Sequence, residues 1–525
     1  MAYRSRVRDR YDTVVIGAGP AGEALVERLR AHGQRIALIE RELVGGECAY
    51  WACIPSKTLL RAAEVRAAAG RVAGLEMPAT RWRELAQYRD YMIRGLDDSE
   101  QVEAYRAKGI DVFRGEAAIA DRETVTVAGE DLRTQRIVIA TGSEPSIPNI
   151  DGLSENGFWT TREATTAAEL PASLAIIGGG PVGVELAQFF CRFGTAVTLV
   201  ESDERLISRE EPRLGETIAR VLREEGVDVR VGAKVTSVGF DGAARIVRFA
   251  DRSRVKSSQL LVAGGRKPRI AESDLKALGI VGGRLRIDQR CRIGEGAWAI
   301  GDVTGVMPFT HVAKYQARIV ARDIRGERVA ASYGAIPRVT FCDPELAAVG
   351  FTEQQARERE IDVTAACVEL PAAIARPFTY EREPRGLLGL VADRRRGVLV
   401  GAWAAAPLAS EWIHQAALAI RARIPLRTLR DMVAQFPTFS EAYLAAVEQL
   451  DPAALRNPAP RRRGRRRGDV NGRASTSASL PPPVQGHQEP EDRERQRAER
   501  DGQRAGEHAE ELRRDEQQAA AHRDR

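Results

Sequence analysis

Thr13-Val14-Val15-Ile16-Gly17-Ala18-Gly19-Pro20-Ala21-Gly22 opens the pattern that decides the fold. A short apolar run ends in closely spaced glycines. A helical pattern follows through Leu25, Val26 and Leu29, Gly33 breaks it, and a second apolar run, Ile36 to Ile39, ends in Glu40. Strand, glycine turn, helix, strand is the order of a βαβ unit with parallel strands. The order returns at Leu174 to Ile177, Gly178-Gly179-Gly180-Pro181-Val182-Gly183, a helix through Leu186 and Phe190, Gly194, and a strand Val197 to Val200 that ends in Glu201. In both units the acid follows the first glycine by 23 residues. Gly17, Gly19 and Gly22, like Gly178, Gly180 and Gly183, permit a tight turn and bring backbone N–H groups to a pyrophosphate at a helix N-terminus. Glu40 and Glu201 then accept hydrogen bonds from ribose hydroxyls. One such turn is weak evidence, because turn glycines are common. Two copies in the same context predict two bound dinucleotides.

Outward from these units, 525 residues predict three to four domains. The 43% hydrophobic and 29% charged composition is that of a globular chain. No uncharged apolar stretch is long enough for a membrane helix, and the basic N-terminus runs straight into a strand, so a cytoplasmic protein is expected. The net charge of +6 equals the six arginines of Arg461–Arg467, so the body of the chain carries no charge signal for a polyanion. A nucleic-acid-binding scaffold acting through that run is the remote alternative, since charge alone is non-specific. After Leu450 the sequence has hardly any apolar residue, and 451–525 is expected to be a disordered, charged tail.

The chemistry concentrates in Gly45-Gly46-Glu47-Cys48-Ala49-Tyr50-Trp51-Ala52-Cys53-Ile54-Pro55-Ser56-Lys57, just after the Glu40 strand. The C-x4-C spacing can close a small disulfide ring. The Ala- and Leu-rich run from Thr58 to Ala69 predicts a helix starting close to Cys53, and a thiol near a helix N-terminus is more readily a thiolate. Zinc is the competing use of paired cysteines, but no second Cys/His pair stands at suitable spacing, so no metal is expected.

On these residues the chain, from about Tyr11 to about Leu450, resembles the class I flavoprotein pyridine nucleotide–disulfide oxidoreductases, which include dihydrolipoamide dehydrogenase, glutathione reductase and mercuric reductase. Ala140-Thr141-Gly142 and Ala263-Gly264-Gly265-Arg266 look like the family's strand-end turns, and Trp298-Ala299-Ile300-Gly301-Asp302-Val303 like its second FAD fingerprint. The resemblance implies an α/β architecture of two Rossmann-like domains and a C-terminal α+β dimerisation domain. FAD would be bound by 1–150 and 276–335, NAD(P) by 151–275, with 336–450 as the dimerisation domain of a homodimer. Gly17, Gly19, Gly22, Glu40, Thr141, Gly142, Gly301 and Asp302 would serve FAD; Gly178, Gly180, Gly183, Glu201 and Gly265 would serve NAD(P)H. Cys53 would be the thiol beside the flavin and Cys48 the interchange thiol. Lys57 and Glu185 would form an ion pair near both rings, their bland alternative being a solvated lysine and an ordinary helix carboxylate. Glu201 predicts NADH over NADPH, although Arg205 lies close enough to complicate this.

The departures carry equal weight. Glu47, Tyr50 and Ala52 stand where the family usually has Thr, Asn and Gly. In Gln435-Phe436-Pro437-Thr438-Phe439-Ser440-Glu441 the Pro, Thr and catalytic Glu441 are in register, but Phe436 replaces the histidine base. Mercuric reductases also lack that histidine but carry a C-terminal cysteine pair, and no cysteine follows Cys367 here. The expected activity is hydride transfer from NAD(P)H through FAD to a small quinone- or disulfide-type acceptor. Dihydrolipoamide dehydrogenase is the alternative.

Overall fold

The computed structural model describes residues 10–242, 244–280 and 285–451. Of the tail expected to be disordered, residues 452–525, with the Arg461–Arg467 run, lie outside them.

Strand Thr13–Ile16 is buried along its whole length and sits inside a six-stranded sheet. In spatial order the strands are Arg292–Gly294, Ala297–Ala299, Ile137–Ile139, Thr13–Ile16, Ile36–Glu40 and Asp111–Arg114. All neighbours pair in parallel except the first two. Parallel strands need both faces covered, which is why they read as unbroken runs of Val and Ile rather than as alternation. Helices Pro20–Arg30 and Thr310–Ile324 cover one face through Leu25, Val26, Leu29, Ala317 and Val320. The strands at 292–299 return to this sheet after the chain has built a second one.

That second sheet is fully parallel, in the order Asp228–Arg230, Ala196–Val200, Ser173–Ile177, Gln259–Val262. Helix Pro181–Arg192 follows its glycine turn, with every residue from Gly183 to Phe190 buried. The turns are forced by geometry. Gly17 has φ +106° and Gly178 φ +117°, a region closed to side chains without strain.

Residues 337–406 form a five-stranded antiparallel sheet, ordered Pro337–Thr340, Glu345–Gly350, Val398–Ala406, Leu387–Asp393, Val363–Glu369. Helices His414–Ala422 and Ala442–Glu448 pack on it through Ala416, Ala419, Ala446 and Val447. The strand runs expected at 387–391 and 398–403 are present and longer. The helical stretch expected at 411–420 is split at Ile413 into Ala409–Trp412 and His414–Ala422. Among the described residues no helix is long and apolar enough to cross a membrane.

Candidate active site

A cavity of about 1710 Å³ runs along the ends of the first sheet. Gly17, Gly19, Glu40, Thr141, Gly142, Gly301 and Asp302 line one part of it, and Cys48, Cys53, Lys57 and Glu185 another. Residues spread over more than 280 positions in sequence thus face one space. The first glycine turn is built for close approach. A Cβ at Gly17 would lie 2.3 Å from the Ala140 carbonyl oxygen, and one at Gly22 would lie 2.0 Å from that of Gly17. The Glu40 carboxylate accepts from Ala18 N at 2.8 Å and from Glu42 N at 2.8 Å, which fixes it at the strand end. Asp302 accepts from Ser143 Oγ at 2.6 Å.

Helix Cys53–Arg71 begins at the second cysteine itself. Both cysteines are free thiols, half-buried, and joined by a residue that sequence reasoning missed: the Thr310 hydroxyl donates to Cys48 Sγ at 3.3 Å and lies 3.6 Å from Cys53 Sγ. Thr310 is 262 positions from Cys48, so no spacing signal points to it. The hydrogen bond from Cys48 pulls the Cys53 pKa down to about 6, against burial, with Thr310 and the Lys57 charge assisting. The same hydrogen bond, with burial, pushes the Cys48 pKa far up. One proton is therefore held on Cys48 while Cys53 carries the negative charge.

Lys57 Nζ donates to Glu185 Oε2 at 2.7 Å, and the Glu185 side chain is only 7% exposed. The other Glu185 oxygen accepts from Phe341 N at 2.8 Å, and Lys57 Nζ lies 4.8 Å from the Phe341 ring centroid. Glu185 is thus a buried carboxylate held by its partners, while the Lys57 side chain, 37% exposed, keeps contact with solvent as well as with Glu185.

The second glycine turn repeats the first, with Glu201 accepting from Gly179 N at 2.7 Å and from Asp203 N at 2.9 Å. Gly178, Gly180, Gly183, Glu201 and Gly265 do not line the large cavity, which reaches the second helix through Pro181, Val182, Glu185 and Leu186. Arg205 is turned to the carbonyls of Ser208, at 2.7 Å, and Glu210. Glu441 is likewise outside the cavity, on the turn Phe439–Glu441, with its Oε2 buried and without a hydrogen-bond partner. Phe436 is 69% exposed. Among the described residues no group of three His, Cys, Asp or Glu side chains is arranged to hold a metal ion.

Two glycine turns of one geometry, a pair of thiols beside the first and a Lys–Glu ion pair that links them to the second helix are the marks of a two-dinucleotide thiol reductase. The chain belongs to the pyridine nucleotide-disulphide oxidoreductase family, whose model matches residues 11–317, with the family's dimerisation domain matching 336–447. The family implies FAD and NAD(P)H as cofactors. A mercuric reductase of Staphylococcus aureus is 31% identical, covering 84% of this chain and 82% of its own. A dihydrolipoyl dehydrogenase of Geobacillus stearothermophilus is 31% identical over 83% of this chain and 95% of its own. Among solved structures, the HOCl-induced flavoprotein disulfide reductase RclA from Escherichia coli superposes with a TM-score of 0.75 at 30% identity, covering 84% of this chain and all of that one.

Proposed function

We propose that this protein is a cytoplasmic, homodimeric NADH:acceptor oxidoreductase that reduces quinones, dyes or another small oxidant well and lipoamide poorly. The observation that carries the reading is the hydrogen-bond shell of Cys48. Its described side-chain partner outside the thiol pair is the Thr310 hydroxyl, which is no base, while its own pKa is pushed up. Thiol–disulfide interchange needs a thiolate at Cys48. The residue standing where the family keeps its histidine is the exposed, apolar Phe436. Loss of a positioned base costs about 10²–10⁴-fold in rate.

Gly17, Gly19, Glu40 and Asp302 line the cavity and would hold FAD, on a turn whose backbone packs so closely that a Cβ at Gly17 or Gly22 would strike it; Gly22 itself lies behind the cavity wall. FAD supplies, when bound, a carrier that accepts a hydride and releases electrons to an oxidant. The chain's own groups do the rest. Lys57, ion-paired with Glu185, would hold its ammonium group toward the flavin, Phe341 N fixes the Glu185 carboxylate, and the lowered pKa of Cys53 favours its thiolate. Preference for NADH is supported by Glu201, whose carboxylate would repel a 2′-phosphate, and by Arg205, which points away to backbone carbonyls. In a homodimer the stretch Phe436–Glu441 would complete the neighbouring protomer's site.

An acceptor screen after anaerobic reduction by NADH tests the reading, with quinones and dyes expected to turn over rapidly and lipoamide and glutathione disulfide slowly. Phe436→His should raise lipoamide turnover about tenfold or more and leave quinone reduction nearly unchanged. Rapid lipoamide turnover by the unmodified protein would instead make it a dihydrolipoyl dehydrogenase.

A further inference from the structure

One face of the helix Pro181–Arg192 grips the segment Phe341–Asp343. Glu185, Gln188 and Arg192 are spaced three and four positions apart, which places them on the same side of that helix. The buried Glu185 carboxylate accepts from Phe341 N at 2.8 Å. Gln188, also buried, accepts from Asp343 N at 2.7 Å and donates to Asp343 O at 2.8 Å. Arg192 Nη2 donates to Asp343 Oδ2 at 2.9 Å. The gripped segment lies in the turn between the antiparallel strands Pro337–Thr340 and Glu345–Gly350 of the dimerisation domain.

What the grip delivers is the Phe341 ring. It lines the large cavity, is 36% exposed, and stands with its centroid 4.8 Å from Lys57 Nζ. A ring this open adds little to a core, but its face attracts a cation. Lys57 has use for such a seat. Its ammonium ends a flexible four-carbon stem, and Glu185 Oε2, at 2.7 Å, holds it from one side. An ion pair alone leaves the stem free to swing about the carboxylate, whereas a ring on a second side removes much of that freedom. The position of the charge matters one helical turn away. Cys53 precedes Lys57 by four residues on the helix Cys53–Arg71. Its thiol is held below the ordinary range first by the Cys48 hydrogen bond, then by Thr310 and the Lys57 charge.

We propose that Phe341 is a positioning residue: its ring pins the Lys57 ammonium against Glu185, so that a turn of the dimerisation domain sets the reactivity of the Cys53 thiol on another helix. The proposal rests on the ion pair and is independent of the acceptor and of the nicotinamide nucleotide used. Phe341→Leu isolates the ring, because the backbone N–H that anchors Glu185 stays in place.

The test uses the full-length holoprotein in its dithiol form, with two quantities read by peptide mass spectrometry. One is the rate at which acetic anhydride acetylates Lys57; the other is the pH midpoint of Cys53 alkylation by iodoacetamide. Phe341→Leu should speed Lys57 acetylation about two- to fivefold, the factor that a partly exposed cation–π contact is worth. It should also raise the Cys53 midpoint by roughly half as much as Lys57→Met does. Phe341→Met, equally without a ring, should do the same, and Phe341→Tyr, which keeps one, should match the wild type in both. In a Lys57→Met protein, adding Phe341→Leu should leave the midpoint where it is. Wild-type acetylation in Phe341→Leu would overturn the proposal. So would an equal midpoint shift with and without Lys57, a Tyr variant that behaves like Leu, or lower thermal stability with no change at either residue.

Discussion

A Cβ added at Gly17 would lie 2.3 Å from the Ala140 carbonyl oxygen, and one at Gly178 would lie 2.5 Å from that of Ala263. The match continues at Gly22 and Gly183, at 2.0 and 1.9 Å from the first glycine's carbonyl, and at Glu40 and Glu201, each bonded to the N–H after that glycine. The two turns differ in what covers them. Gly46 packs against Gly19 in the first, whereas nothing lies within 4 Å of a Cβ at Gly180 in the second. The second turn is crowded elsewhere: a Cβ at Gly179 would strike Leu206 and Glu201, where the first turn accommodates Ala18. On the proposed assignment, with FAD at the first turn and the nicotinamide nucleotide at the second, one backbone solution serves two kinds of binding. A covered turn suits a nucleotide that stays, and an open one suits a nucleotide that comes and goes.

The sharpest way to break this comparison is to place a methyl group in each turn. Gly22→Ala should cost at least roughly a hundred-fold in FAD affinity and give colourless protein, since the clash is with backbone rather than a flexible side chain. Gly183→Ala should remain yellow with an unchanged flavin-to-protein ratio, while flavin reduction by NADH slows by a similar factor. Loss of flavin from both variants would mean that the two sites do not fold independently.

A smaller effect is expected at the acids. Glu201→Ala should lower kcat/KM for NADH by about tenfold and reduce discrimination against NADPH, as befits loss of one charged hydrogen-bond acceptor. An unchanged NADH-to-NADPH ratio would move the selection to another residue.

The smallest effect concerns the thiols beside the covered turn. The thiolate absorbance of the dithiol form should be fully developed above neutral pH and disappear as pH falls through about 6, the lowered value of Cys53. Lys57→Met should raise that midpoint by no more than about one unit, because the Cys48 hydrogen bond contributes more than the Lys57 charge. A midpoint near the free-thiol value of about 8.5 would show that Cys53 is not tuned.

Both turns were legible because their constraint is local. Three glycines, one helix and one acid within 23 positions leave a pattern that needs no knowledge of the rest of the chain. The C-x4-C pair and the helix that follows it were legible for the same reason. The shell around the pair was not. Thr310 reaches Cys48 across 262 positions and Arg162 reaches Glu47 across 115, and contacts of that span leave no spacing for a reader to count. Glu185 falls between the cases: its turn was plain, but its burial against Lys57 depends on two domains meeting. Glu47 was noticed only as a departure, since the arginine that makes sense of it lies on a segment with no motif of its own.

The helix Cys53–Arg71 is tied to later parts of the chain near both of its ends. Near its start Lys57 is paired with Glu185; at its last residue Arg71 shares Asp343 with Arg192, at 2.8 and 2.9 Å. The two points are about 21 Å apart along the helix. Attachment at both ends resists tilting of the helix more than attachment at one end would. In a mechanic's terms the helix is a strut pinned near both ends, and Cys53, its first residue, is carried by the pinned end that also holds the Lys57–Glu185 pair.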